Sequence, residues 1–151
     1  MSGKPSHLQV LRTHHQDGRE QARRLAEATR RDAPARQAAA LAFLEYFDGQ
    51  VVPHMRAEER SLLPLLLSDD PRVVRILREH ERLYVLARRL REALAEGPPP
   101  AQDLLRISVL LQGHIALEER ELYPEAAERL PTRRLGPAEG LWWPAPESGP
   151  A

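Results

Sequence analysis

The sequence contains no cysteine among its 151 residues. This absence excludes disulfide bonds, zinc sites built on thiolates, iron–sulfur clusters and a cysteine nucleophile. Any metal ion that the chain binds must therefore be held by nitrogen and oxygen atoms.

An excess of charge of either sign is also missing. Lysine plus arginine and aspartate plus glutamate both number 22, so nothing attracts the chain as a whole to nucleic acid or to an anionic membrane. No apolar run near the N-terminus is long enough for a signal peptide, and no later run is long enough to span a membrane. We expect a soluble, cytoplasmic protein that binds neither nucleic acid nor membranes.

Four long stretches carry apolar residues three and four positions apart, the spacing of an amphipathic helix, and alternation typical of strands is missing. Because the connections between them are short, the pattern predicts an all-α fold, an up-down-up-down four-helix bundle over residues 1–130. The predicted helices run from after Pro5 to about Asp32, from Pro34 to about Leu66, from Pro71 to Gly97, and from about Ala101 to Leu130.

Residues 131–151 form a tail rich in proline and glycine, which we expect to be partly packed or disordered. Trp142 and Trp143 stand beside Leu141 as its only strong apolar anchor. A tryptophan pair left in water would expose a sizeable apolar patch. We therefore predict that the pair packs against the bundle, against a second copy in a homo-oligomer, or against a protein partner.

An internal repeat is the most informative feature of the sequence. Residues 54–64 read HMRAEERSLLP and residues 114–124 read HIALEERELYP, with six of eleven positions identical. A four-residue step on a helix places two side chains one above the other. His54 with Glu58, and His114 with Glu118, can therefore each direct an imidazole and a carboxylate at one small volume.

The first and third helices add one histidine each to this set. His15 and His80 both lie on the apolar stripe of their helix, because apolar residues precede them by four positions and follow them by seven and ten. His14 has polar residues at the equivalent positions, so we assign the ligand role to His15. We interpret His7 and His14 as surface residues.

A single histidine on an apolar face is more often a hydrogen-bonded core residue than a ligand. Four histidines and two glutamates in one core are different, because their burial would be costly unless something neutralised or coordinated them. A pair of metal ions would do so. Glu59 and Glu119 project off the stripe, either into solvent or toward the ligands, and we favour solvent.

The order of single histidine, His-x-x-x-Glu, single histidine and His-x-x-x-Glu resembles the hemerythrin-like (HHE cation-binding) family over about residues 5–130. The resemblance implies a four-helix bundle that holds two iron ions in a non-haem diiron centre with an oxo or hydroxo bridge. Glu58 and Glu118 would be the bridging carboxylates. The terminal ligands would be His15, His54, His80 and His114.

The sequence departs from the oxygen-carrying members of that family in one respect. They have a further histidine one helical turn from the third-helix ligand, where this chain has Ile76 and Tyr84. One iron should therefore be less saturated. Tyr84 is a candidate for the gap, as a ligand or as a hydrogen-bond donor near the metal, and the alternative is a core aromatic with its hydroxyl at the rim.

The resemblance implies a protein that binds or senses dioxygen or a related small species such as nitric oxide or peroxide, and it leaves peroxide-degrading, catalase-like activity open. One alternative is a ferritin-type iron oxidase or storage protein, although those bundles use Glu-x-x-His instead of His-x-x-x-Glu. Another is a helical interaction module stabilised by zinc or manganese.

Overall fold

A computed structural model describes residues 7–129, all of them in helices or in the short connections between helices. The tryptophan pair of the predicted tail lies outside these residues. No helix within 7–129 combines the length and the apolar character that a membrane crossing requires. The α-helices are α1 (His7–Ala28), α2 (Ala33–Tyr46), α3 (Val52–Ala57), α4 (Pro71–Glu96), α5 (Ala101–Leu117) and α6 (Tyr123–Arg129).

Shorter elements join some of these into longer helices. π-helical turns connect α2 to α3 (Phe47–Val51) and α5 to α6 (Glu118–Leu122). A third π-turn (Glu58–Leu62) and a 3₁₀ turn (Leu63–Leu65) extend α3. Residues 7–129 therefore form four long helices, which confirms the predicted all-α bundle.

The long helices form a ring in which each one packs against its neighbours in sequence. α1 packs against α2 and α5, and α4 packs against the same two helices. Short connections between neighbours produce this arrangement, as expected for an up-down-up-down bundle. The bundle interior therefore receives side chains from all four long helices.

Capping residues set where these helices begin and end. The side chain of Asp32 accepts a hydrogen bond from Ala35 N at 3.0 Å at the start of α2. Asp70 caps α4 in the same way through Arg72 N at 2.9 Å. Gly97 ends α4 with a φ of 150°, a backbone conformation that favours glycine.

A proline lies two residues after the last residue of each of the three π-turns. These prolines are Pro53, Pro64 and Pro124. In each case the residue before the proline donates its N–H to the first carbonyl of the turn. A proline ring clashes with the carbonyl four residues earlier in a regular α-helix, and the extra residue of a π-turn shifts the local register. Two of these turns begin at Glu58 and Glu118.

In the part of the chain that the structure describes, the apolar core consists of two separate clusters. One contains Phe43, Leu83 and Leu104, and the other contains Leu11, Ile76 and further buried residues of the repeat. The buried histidines and glutamates lie where the two clusters meet. On the first long helix, for example, Leu11 belongs to one cluster, Ala22 belongs to the other, and His15 lies between the two. The fold therefore encloses a polar layer between apolar layers.

Candidate metal centre

Six buried side chains from all four long helices meet in this layer. They form two groups, and within each group one donor atom from every residue lies within 4.8 Å of the others. The first group is His15, His54, Glu58 and Glu118, and the second is Glu58, His80, His114 and Glu118. These are the six residues that the sequence analysis put forward as ligands, and both glutamates belong to both groups.

Glu58 divides its two carboxylate oxygens between the groups. Its Oε1 contacts His54 Nε2, and its Oε2 lies 4.0 Å from His80 Nε2. The side chain is fully buried. One carboxylate therefore faces both halves of the centre.

Glu118 is divided in the same manner and is also fully buried. Its Oε1 contacts His114 Nε2, whereas its Oε2 lies 3.5 Å from His15 Nε2 and 3.8 Å from His54 Nε2. The approximate repeat in the sequence thus produces an approximate symmetry in the site, with two carboxylates at its middle and two histidines on either side.

The donor atoms fit a pair of metal ions. Glu58 Oε2 and His80 Nε2 are buried and have no hydrogen-bond partner within residues 7–129. Unpartnered polar atoms are costly in a protein interior, and a coordinated cation would satisfy them. Imidazole and carboxylate donors in this number suit iron or manganese better than a closed four-coordinate zinc site.

A carboxylate outside the centre supports His15, and another supports His80. His15 Nδ1 donates to Glu119 Oε1 at 3.1 Å, and His80 Nδ1 donates to Glu59 Oε1 at 2.9 Å. Glu59 is exposed, as expected of a surface residue, and Glu119 is partly exposed, but both carboxylates also support the histidines of the centre, which is the alternative that the sequence left open. With a proton held on Nδ1, the Nε2 lone pair of each imidazole faces the centre.

Glu79 supports His114 in the same way, a role that the sequence pattern did not predict. Its Oε1 accepts from His114 Nδ1 at 3.0 Å, while its Oε2 accepts from Arg75 Nε at 3.2 Å. In the sequence, the signal for this role is that Glu79 directly precedes His80. In the structure, the helix that carries both residues packs against the helix that carries His114.

His14 directly precedes His15, as Glu79 directly precedes His80. It therefore occupies the position beside the first group that Glu79 occupies beside the second. Its ring lies edge-on to the ring of His54, with centroids 5.8 Å apart. Burial lowers the pKa of His14 to about 4, with smaller contributions from the charges of His54 and His15. Its assignment as a surface residue is therefore wrong, because the side chain is half-buried beside the centre.

Tyr84 does not reach the centre. Its side chain is 39% exposed, its ring packs edge-on against Phe47 at 5.8 Å, and its hydroxyl interacts with Arg56. The neighbouring Leu83 takes the inward position and is buried. Ile76 lies one helical turn on the other side of His80 and is fully buried in an apolar cluster. Neither Ile76 nor Tyr84 therefore supplies a donor to the centre.

Tyr123 is a second functional candidate that the sequence did not predict. Its hydroxyl donates to Glu118 Oε2 at 2.5 Å and lies 3.4 Å from Glu58 Oε1 and 3.3 Å from His15 Nε2. Its ring stacks on that of His15 with centroids 5.4 Å apart and planes 7° apart. The side chain is fully buried.

Opposing pKa shifts of the two shared glutamates follow from their closeness. Burial and the neighbouring Glu118 raise the pKa of Glu58 well above its ordinary value. Burial acts in the same direction on Glu118, but the charge and hydrogen bond of His114 outweigh it and hold the pKa of Glu118 well below its ordinary value. The pKa of His114 is raised to about 10, because the attraction to Glu118 outweighs burial.

A narrow cavity of about 20 Å³ adjoins the centre. His14, His54, Gln50 and Leu111 are among the residues that line it. A cavity of this size accommodates roughly one water molecule. Only a small molecule could occupy the space next to the histidines without movement of the bundle.

A family model matches this chain over most of its length. The model of the hemerythrin HHE cation-binding domain matches residues 6–126, which include all six residues of the two groups. The chain belongs to the hemerythrin HHE cation-binding family. Its cluster of buried histidines and glutamates is accordingly the metal-capable site of a cation-binding, hemerythrin-like protein. Comparisons with curated proteins and with solved structures find no match.

Proposed function

We propose that this hemerythrin-like chain holds two iron ions, one in each group of donors, and binds dioxygen, nitric oxide or peroxide there. The observation that carries the proposal is the division of the carboxylate oxygens: Glu58 and Glu118 each direct one oxygen at one pair of histidines and the other oxygen at the second pair. Two carboxylates placed in this way suit two adjacent ions.

The roles of the individual residues follow from their contacts. His15 and His54 would hold one ion, and His80 and His114 the other, with both glutamates shared. Glu119, Glu59 and Glu79 keep the imidazoles of His15, His80 and His114 in the tautomer that leaves Nε2 free to bind. Iron bound here would supply reversible redox chemistry and exchangeable coordination positions.

The surroundings of the centre favour a small ligand. Apolar clusters enclose the polar layer on both sides, and the adjoining cavity has room for about one water-sized molecule. Diatomic gases and peroxide are of about this size. A larger substrate would have to displace core side chains.

Ile76 occupies the position at which oxygen carriers have a further histidine. This difference favours ligand exchange at one of the two ions. Ile76 is buried and apolar, so the ion beside His80 has fewer protein donors than its counterpart in those carriers. An ion with more open positions takes up water, azide, nitric oxide or peroxide readily. This favours sensing of small oxidants, or their removal, over reversible oxygen transport.

Metal analysis combined with an optical spectrum tests the proposal. The iron-loaded protein should contain about two irons per chain, as expected of a two-metal site, and should show near-ultraviolet charge-transfer bands that shift on addition of azide. The variant Glu58→Ala/Glu118→Ala should lose the iron pair. A control with two exposed carboxylates removed, Glu81→Ala/Glu121→Ala, should keep it. A colourless protein with a single zinc would contradict the proposal.

A further inference from the structure

The phenol of Tyr123 is placed among donor atoms of the first group. Its oxygen lies 2.5 Å from Glu118 Oε2, 3.3 Å from His15 Nε2 and 3.4 Å from Glu58 Oε1. These distances are comparable to the 3.5 Å that separates His15 Nε2 from Glu118 Oε2. By distance alone, the phenol oxygen is a member of this group.

The contacts of Tyr123 are confined to one half of the centre. Each carboxylate oxygen that it meets is the one directed at the first group, since Glu58 Oε1 contacts His54 and Glu118 Oε2 is the nearer oxygen to His15. Its ring is held by stacking on His15. The oxygens directed at His80 and His114 are the other two.

The repeat shows that packing does not require a hydroxyl at this position. Leu63 stands nine residues after His54, as Tyr123 stands nine after His114, and Leu63 is buried and apolar. Both belong to the same apolar cluster. The bundle thus tolerates a purely apolar side chain in one half, while the other half carries a fully buried phenol directed at the donors.

We propose that Tyr123 supplies a seventh protein donor, binding through its phenol oxygen to the metal ion held by His15 and His54. This inference rests on the proposed function. On binding, the O–H bond is replaced by a bond from oxygen to the metal, and the proton passes to solvent. The two metal positions are then chemically different: one has a phenolate in addition to its histidines and shared carboxylates, and the other has none.

Spectroscopy of the iron(III)-loaded chain tests this assignment. A phenolate bound to iron(III) gives a charge-transfer band in the visible and enhances tyrosine ring modes in the resonance Raman spectrum excited within that band. The wild type should show both. Tyr123→Phe should lose both while still binding iron, and the matched variants Tyr84→Phe and Tyr46→Phe should keep them.

A second variant keeps the test decisive should Tyr123→Phe fail to fold. The chain has three tyrosines, so Tyr46→Phe/Tyr84→Phe leaves Tyr123 as the only source of phenolate modes. Those modes should persist in it and should shift when the protein is grown on ring-deuterated tyrosine. An iron pair without phenolate modes overturns the ligand role of Tyr123 and leaves the proposed function standing. Failure to bind iron overturns both.

Discussion

His15 and Glu119 are 104 positions apart in the chain, yet His15 Nδ1 lies 3.1 Å from Glu119 Oε1. The other carboxylate oxygen of Glu119 contacts Arg19, one turn along the helix that carries His15. The carboxylate thus joins the first and fourth long helices and fixes the tautomer of a proposed ligand. Carboxylates in this position raise the basicity of the imidazole and orient its ring.

Glu119→Gln should weaken metal binding at the His15 position by about 10- to 100-fold, because an amide holds the imidazole proton less strongly than a carboxylate does. Competition with a chelator of known affinity measures the change. Glu121→Gln, two residues further along and exposed, is the matched control and should bind as the wild type does. Equal affinities for all three proteins would show that Glu119 has no role in orienting the ligand.

His15→Ala should lower the iron content of the purified protein, because it removes one of two histidines from the first group. His14→Ala should retain both irons, since His14 belongs to neither group although it packs against His54. Metal analysis of the two variants, prepared side by side, makes the comparison. A similar loss of iron from both would mean that the ligand on the first helix is assigned wrongly.

Gly18→Ala should destabilise the bundle by about 1–3 kcal/mol, since a methyl group there overpacks the core. A Cβ at position 18 would lie 2.8 Å from Ile115 Cδ1 and 3.1 Å from the hydroxyl of Tyr46. Gly113→Ala is the opposite case, with nothing within 4 Å of the added carbon. It should stabilise the protein by about 0.5–1 kcal/mol, because alanine is the better helix former. Urea unfolding measures both, and a stabilised Gly18→Ala would contradict the close packing.

Removal of metal should lower the unfolding temperature. The metal-free core leaves buried polar atoms such as His80 Nε2 without hydrogen-bond partners in the described part of the chain, and a ligand bound only by the folded state adds about 4 kcal/mol at a thousandfold excess over its Kd. Calorimetry of chelator-treated and iron-loaded protein measures the difference. Identical unfolding temperatures would indicate that the folded state does not bind iron.

Helical periodicity and the repeat were sufficient to predict the four long helices and the meeting of the six clustered residues, since both follow from which face of its own helix a residue occupies. Contacts made by a neighbouring helix were not predictable in this way. Glu79 supports His114 on the adjacent helix, and His14 packs against His54 from another. Nothing in the periodicity of a single helix indicates such a partner.

Tyr123 was missed because of a π-turn. In a regular α-helix a residue five positions after Glu118 would point roughly 140° away from it. The π-turn from Glu118 to Leu122 brings the Tyr123 hydroxyl back to the Glu118 carboxylate, and the equivalent turn closes with a hydrogen bond from Leu63 N–H to the Glu58 carbonyl. Tyr84 shows the opposite error, because its four-residue spacing from His80 predicted a shared face, while Leu83 takes the inward place.

In the proposed centre, two metal ions share Glu58 and Glu118. A crystal structure of the iron-loaded protein, with anomalous difference maps recorded at the iron edge, measures this directly. We expect two peaks about 3.5–4 Å apart, as in other two-metal sites, with both carboxylates lying against both peaks. One peak, or two peaks that do not share the glutamates, would contradict it.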